Sequence, residues 1–498
     1  MTSPRPPVAR ATSLPPGVRC ARFPELDGIA PMDVAERLCD LPGLVLFESA
    51  RPGRNARWSY LVADPVAVLD GPADGADPFA TARRVLGRLS ADEVGLPDAP
   101  PFTGGLVGYL AYDLGRRLER LPSIAAADQE LPILRLALHG WVVAWDRRTG
   151  HAWLAGRALD ERVGRLDEQL DAVAARLRAT RDDAAAAAGA ASPDPRGAPS
   201  PPTAGHAGDR TTALELRSGL DRRAFEAGVQ AVRQDIARGE IYQANLTRRL
   251  ETPFRGDPWP LYRRLRTGDP SLFSAYLDLG ASPVTGAPRA ILSASPEPFL
   301  SVSSRGHVAA DPIKGTRPRG RDRAEDRALA AELLASAKDR AENVMIVDVL
   351  RNDLGRVCLP GSVRVPRLCR LERTAAVQHL VSTVTGTLAP GLDAFDLLAA
   401  SFPGGSITGA PKIRAMQLLE AHEPVRRGPY TGAAGWIGAD GAMQTSILIR
   451  TFVADGARLT LHVGGGITWR SDPAAEWDET VAKARGPLSA IGAREVDA

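Results

Sequence analysis

The chain has 498 residues, enough for a large buried core in one unit or roughly two to four domains. Its 44% hydrophobic and 24% charged residues are those of a soluble globular protein. The net charge of +3 comes from dispersed arginine rather than one basic face, which argues against a nucleic-acid binder. No apolar run reaches the roughly 18 residues of a membrane helix, and M-T-S-P-R-P-P-V-A-R lacks an apolar signal core, so a cytoplasmic protein is expected. Cys20, Cys39, Cys358 and Cys369 form no C-x-x-C, which speaks against a zinc site, a disulfide framework or a thiol hydrolase.

In chain order, Leu44–Glu48 reads as a short apolar strand. Leu134–Trp145 and His151–Leu154 read as strands joined by the polar turn R-R-T-G, and Glu161–Arg178 has helical spacing. From about Arg181 to Thr212 the chain is rich in Ala, Pro and Gly and has no aromatic residue, so it cannot bury enough surface to offset its ordering entropy. It reads as a flexible linker over 181–212 between an N-terminal part, 20–180, and a second part, 213–498. The second part opens with a helix, Arg222–Arg238, stopped by Gly239. Helices also fit Arg323–Ala337 and Lys412–Glu420, and Ser446–Val453 with Arg458–Val463 predicts a hairpin. Strands and helices in mixed order point to α+β with antiparallel sheets.

Only four of the 62 Lys and Arg residues are lysine: Lys314, Lys338, Lys412 and Lys483. Lysine, unlike arginine, can lose its proton when desolvated and act as a base or nucleophile. Chance scatter accounts equally well for one lone lysine, but all four fall in the second part of the chain.

Candidate chemistry gathers there. In G-G-G-I-T-W-R-S-D-P-A-A-E-W-D-E-T-V-A-K, Asp472 suits an N-cap and Pro473 the first helical position. Glu476, Glu479 and Lys483 then share one helix face, as a solvated salt-bridge face or as an Mg²⁺ site completed by substrate oxygens. The preceding Gly464–Gly466 reads as a loop whose backbone can approach an anion. In A-E-N-V-M-I-V-D-V-L-R-N-D-L-G-R-V, Glu342 shares an apolar face with Ile346 and Val349 and needs a cation or metal partner. F-P-G-G-S-I-T-G-A-P-K fails the phosphate-loop pattern but reads as a Gly-rich loop entering a helix whose N-terminus favours anions. Arg450, within T-S-I-L-I-R-T-F-V, is expected in a strand covered on both sides, paired either with a planar anion or with a buried acid. His379 reads as a core histidine. Together these residues describe an Mg²⁺-dependent site for a small, multiply anionic substrate.

The motifs D-P-I-K-G-T-R-P-R-G, A-E-N-V-M-I-V-D-V-L-R-N-D-L-G-R-V, F-P-G-G-S-I-T-G-A-P-K-I-R-A-M and G-G-G-I-T-W-R-S-D-P-A-A-E-W-D-E-T resemble those of the chorismate-utilising enzymes. That family includes anthranilate synthase component I, isochorismate and salicylate synthases, and aminodeoxychorismate synthase component I. The resemblance is strong over about 218–495 and weaker before it, through L-F-E-S-A, R-W-S-Y and G-G-L-V-G-Y. It implies two interlocked α/β subdomains with facing antiparallel sheets and outer helices. Within the family, P-I-K-G-T and I-Y-Q-A-N-L-T resemble the aminodeoxychorismate synthase branch, whereas P-I-A-G-T is typical of the anthranilate and isochorismate branches. The anthranilate branch is the nearest alternative, and a catalytically silent chorismate or tryptophan binder a more distant one.

The resemblance further implies conversion of chorismate and ammonia to 4-amino-4-deoxychorismate. It makes Lys314 a covalent nucleophile and Glu297 its general acid/base. Mg²⁺ would be held by Glu342 and Glu479 with Glu476 close by. Tyr430, Arg450 and the Gly465–Gly466 backbone would receive the enolpyruvyl carboxylate, with Thr408, His379 and Lys483 at further substrate positions. Ser49, Arg57, Trp58, Phe273 and Ser274 match approximately a tryptophan pocket of the family. The chain shows no glutaminase sequence, so the resemblance implies a separate glutamine amidotransferase subunit as ammonia donor.

Overall fold

The computed structural model describes residues 14–54, 56–189, 214–374 and 377–496. Among them, strands form one sheet of thirteen and a second of ten, antiparallel throughout except where Ala493–Val496 runs parallel to Leu214–Ser218. The first sheet runs from Val18–Arg22 through His151–Arg157, Trp141–Asp146, Trp58–Val62 and Val45–Glu48. It continues through Phe273–Ala281, Pro288–Ser295, Thr451–Asp455, Arg458–Ile467 and Gln243–Pro253. The second places Ile313–Pro318 and Val377–Thr387 at one end and Gly105–Leu110, Leu134–His139 and Ala67–Asp70 at the other. Strands from before and after residues 181–212 therefore hydrogen-bond within both sheets.

The apolar alternation of the strands sets the layers. Along Trp141–Asp146, Val142 and Ala144 join one core with Tyr60, Val107, Ala434 and Trp436. Trp141, Val143 and Trp145 point to the opposite side, into a core beneath helices Trp259–Gly268 and Pro473–Ile491. Side chains of period two thus bury both faces: the first core lies between the sheets, the second outside. Ile346, Val347, Leu397 and Leu398, from helices Ala337–Gly355 and Ala394–Ser401, cover the second sheet likewise. The architecture is mixed α+β with antiparallel sheets, as the element order implies, and the two sheets face each other with helices outside, as the family resemblance implies.

The structure differs from the expected elements where a run is apolar on both faces. Leu134–Trp145 is not one strand: it breaks at Gly140, so that Leu134–His139 serves the second sheet and Trp141–Asp146 the first. Ser446–Val453 is likewise divided between Met443–Ile447 in the second sheet and Thr451–Asp455 in the first, with Arg450 at φ +50° between them. Arg323–Ala335 ends before Ser336, whose side chain caps a new helix, Ala337–Gly355. The helix expected over Glu161–Arg178 spans Val163–Gly189 and takes in the first residues of the Ala-rich stretch, whose remainder lies outside the described residues. Arg222–Ala237 forms as expected, capped by the Asp221 carboxylate on the Ala224 N–H, with Gly239 at φ +77° beyond its end.

Candidate active site

The crossover at Arg450 opens the first sheet. Thr451–Asp455 pairs with Arg458–Ile467 only as far as Leu461, and beyond that point Arg458–Ile467 is flanked by Gln243–Pro253 alone. A cleft of about 950 Å³, counting its open mouth, lies there. Glu297, Lys314, His379, Tyr430, Arg450, Gly464 and Lys483 line it, with Asn245, Ser406 and His462.

Lys314 is delivered by a bulge. Strand Ile313–Pro318 pairs Lys314 with Leu380 and Thr316 with His379, leaving Gly315 unpaired at φ +74°. A side chain at Gly315 would put its Cβ 2.8 Å from that of Asp339, so position 315 needs glycine for both space and conformation. Lys314 Nζ donates to the Ser406 carbonyl oxygen at 2.9 Å. Burial holds its proton affinity below the usual lysine range, with Lys483 adding to that effect against the opposing pull of Glu297, Glu342 and Glu479. Glu297 follows strand Pro288–Ser295, and its backbone oxygen accepts from the Ile447 N–H at 3.1 Å. Burial raises its carboxyl above the usual range, against Lys314 and a hydrogen bond with the Ser406 side chain. An amine whose proton affinity is lowered stands near a carboxyl whose proton affinity is raised, shifts in the direction that nucleophilic attack with proton delivery to a leaving group requires.

The acids flank this pair. Asp472 caps helix Pro473–Ile491 through the Ala475 N–H, with Pro473 at its first position. The face is mixed: Glu476 is 6% exposed, whereas Glu479 and Lys483 form the half-exposed ion pair that the solvated reading of the spacing allowed. Burial raises the Glu476 carboxyl, opposed by a Ser471 hydrogen bond. For Glu479 burial pulls the same way, but Lys483, 2.7 Å away, Lys338 and Lys314 hold the carboxyl below its usual range. Glu342 Oε1 is buried without a hydrogen bond, with Lys338 Nζ 3.9 Å away, and burial raises its carboxyl.

A Cβ at Gly465 would lie 3.1 Å from Glu476 Oε2 and 3.8 Å from Glu479 Oε1, so this glycine keeps open the space above both acids. A buried carboxylate oxygen without a hydrogen bond and that open space suit a hard cation. Among the described residues no three His, Cys, Asp or Glu converge to hold a metal by themselves, so such an ion would need other oxygens to complete its shell.

Several expectations require correction. Gly464–Gly466 is not a loop but part of strand Arg458–Ile467, paired opposite Thr247, Leu246 and Asn245, and Lys483 Nζ donates to the Gly464 carbonyl oxygen at 2.8 Å. Arg450 is not buried in a two-sided strand. It sits at the crossover with a 47% exposed side chain, 3.6 Å from Asp269. Within F-P-G-G-S-I-T-G-A-P-K, Gly405–Ile407 forms a 3₁₀ turn and Gly409–Ala410 a two-residue strand before helix Lys412–Leu419. Lys412 at the start of that helix is engaged in a buried 2.7 Å pair with Asp353 and is structural. Thr408 is fully buried, its hydroxyl donating to the Gly404 carbonyl oxygen at 2.9 Å, and braces this loop behind the cleft. His379 is a cleft residue, its Nδ1 2.9 Å from Thr316 Oγ1 and its pKa pushed down to about 4 by burial, Arg450 and Arg51.

Tyr430 is buried and stacks on His462, with ring centroids 5.1 Å apart. Neither Ser406 nor His462 was singled out by the sequence patterns. Ser406 lies inside a quoted motif but acts partly through its carbonyl, which residue type does not reveal. His462 adjoins the glycine triplet, and burial on a cleft wall is not written in its neighbours.

A second cavity, of about 390 Å³, lies between the sheets and is lined by Ser49, Trp58, Phe273 and Ser274 with Tyr60 and Trp436. Arg57 is not on its wall. It pairs with Asp146 at 2.8 Å, its guanidinium 5.0 Å from the Trp58 ring centre.

Residues 45–489 match the family described as chorismate binding enzyme. The chain is 40% identical over 475 residues to anthranilate synthase component 1 of Streptomyces coelicolor, covering 95% of this chain and 88% of that protein. It is 38% identical over 441 residues to aminodeoxychorismate synthase component 1 of Salmonella typhimurium, covering 86% and 88%. Among solved structures, anthranilate synthase component I from Streptococcus pneumoniae superposes with a TM-score of 0.72 at 29% identity, covering 88% of this chain and 93% of that one. The menaquinone-specific isochorismate synthase of Escherichia coli shares the fold, with a TM-score of 0.68 at 18% identity over 97% and 96%. The chain carrying Lys314 and its flanking acids belongs to the chorismate binding enzyme family.

Proposed function

We propose that this chain is an aminodeoxychorismate synthase component I, forming 4-amino-4-deoxychorismate from chorismate and ammonia. The observation that carries the reading is Lys314: a scarce lysine in the cleft, held by Ser406, with its proton affinity depressed and the Glu297 carboxyl, whose pKa burial raises, nearby. The Lys314 amine attacks C2 of the ring, both ring double bonds shift toward C4, and the C4 hydroxyl leaves as water with a proton from Glu297. Ammonia then adds at C4, the double bonds shift back and expel the amine at C2, and the proton lost by the new amino group returns to Glu297, restoring both residues. The net change is exchange of hydroxyl for amino with loss of water.

Tyr430 and Arg450 bind and orient the enolpyruvyl carboxylate. Arg450 can turn to it because its ion pair with Asp269 is long and its own side chain is half-exposed. Glu342 and Glu479, with Glu476, would hold Mg²⁺ against the ring carboxylate, where the ion supplies charge neutralisation and electron withdrawal. Ammonia would come from a glutamine amidotransferase subunit, in keeping with the "component 1" names of the relatives.

Anthranilate synthase activity is the second reading, favoured by the 40% identity to the Streptomyces coelicolor enzyme. Chorismate, Mg²⁺ and ammonium with the purified chain separate the two. A product that a lyase converts to para-aminobenzoate supports the proposal, and direct release of anthranilate and pyruvate contradicts it.

A further inference from the structure

His462 lies in strand Arg458–Ile467, 3% exposed, opposite Arg249 and on the wall of the cleft. Its ring lies nearly parallel to that of Tyr430, at 11° and 5.1 Å between centroids. Burial, then the guanidinium groups of Arg249 and Arg427, keep the imidazole neutral against the weaker opposing pull of Asp128. Its Nε2 is buried and makes no hydrogen bond with any described residue. What this imidazole offers its neighbour is therefore its flat face rather than its polar atoms.

Tyr430 needs such a backing. It precedes Thr431, which sits at φ +59°, and the segment crosses the cleft between two buried anchors. On one side Arg427 is bound to Glu423 and to the Asn245 and Ile407 carbonyl oxygens; on the other, the Thr431 N–H donates to the Leu448 carbonyl oxygen. The backbone is fixed on both sides of Tyr430, and the ring direction is left to what packs against it.

We propose that His462 is the positioning residue for Tyr430: its neutral ring fixes the direction of the phenol on the cleft wall and so sets the affinity for the carboxylate-bearing substrate. This rests on the reading of the cleft as a chorismate site. It does not depend on which product forms.

The test is a double-mutant cycle on the full chain, following chorismate loss with Mg²⁺ and ammonium. His462→Leu is close in volume but lacks the flat face, and should raise KM about tenfold with kcat nearly unchanged. His462→Phe keeps a flat face and should stay within about threefold of wild type in KM. In a Tyr430→Ala background, His462→Leu should raise KM no further. A wild-type KM for His462→Leu, or an equal further rise in the Tyr430→Ala background, overturns the proposal. Should His462→Phe fail to fold for want of space, the leucine cycle alone decides.

Discussion

Ser406 holds both reactive side chains at once: its carbonyl oxygen accepts from Lys314 Nζ at 2.9 Å and its hydroxyl hydrogen-bonds the Glu297 carboxyl. The loop carrying it is pressed against helix Ala337–Gly355, where a Cβ at Gly405 would come within 2.7 Å of Val349 Cγ1. Nucleophile and acid are thereby fixed relative to each other by one residue. Replacing Lys314 by Ala should lower the rate of amination by roughly 10³-fold or more, since the covalent route is lost. Lys314→Arg should not restore it, because a guanidinium stays protonated. Single-turnover rates on folded variants check both, and an unimpaired alanine variant removes Lys314 from the chemistry.

The pH dependence follows from the two shifts. Activity requires neutral Lys314, so it rises with pH through a value below the usual lysine 10.5. It also requires protonated Glu297, so it falls as pH passes a value above the usual 4.5. Glu297→Gln should remove the falling limb of kcat/KM. A falling limb that survives in Glu297→Gln belongs to another group.

Glu342 links the cation to stability. Burial raises its carboxyl, so the folded state bears a cost above the usual pKa of 4.5, and that cost disappears as pH falls below it. Near pH 7 without metal, Glu342→Gln should therefore be as stable as wild type or more so, by about 1 kcal/mol. Mg²⁺ should raise the melting temperature of wild type but not of the variant. The variant should also need roughly 10- to 100-fold more Mg²⁺ for half-maximal rate. Equal Mg²⁺ responses in the two proteins would place the ion elsewhere.

Lys412 offers a contrast with Lys314. Its 2.7 Å pair with Asp353 is buried, with side chains 12% and 5% exposed. Asp353→Ala leaves the ammonium unpaired and should cost about 3–5 kcal/mol in denaturant unfolding. The double replacement Lys412→Met with Asp353→Leu should recover most of that loss. Failure to recover it would mean that the pair does more than fill and neutralise this site.

Part of the site's make-up was legible in sequence because it depends on residue type at short spacing: Glu476, Glu479 and Lys483 fall on one helix, and Lys314, singled out as a scarce lysine, lines the cleft. What sequence hid was where apolar runs change sheets. Around Gly140 and Arg450 both strand faces are buried, so alternation continues through the break and gives no warning. Arg450 consequently read as a buried strand residue, whereas the crossover leaves it at the mouth of the cleft. Gly464–Gly466 looked like a loop because glycine is rare in strands, yet small residues there let Glu476 and Gln243 pack against the strand. The role of Ser406, partly through a carbonyl oxygen, has no signature in residue type at all.

The most direct measurement is the product formed by the purified chain from chorismate with Mg²⁺ and ammonium. Chromatography with an authentic standard should show 4-amino-4-deoxychorismate, absent with Lys314→Ala. Anthranilate and pyruvate, formed at the same rate with and without the Lys314 amine, would contradict the account.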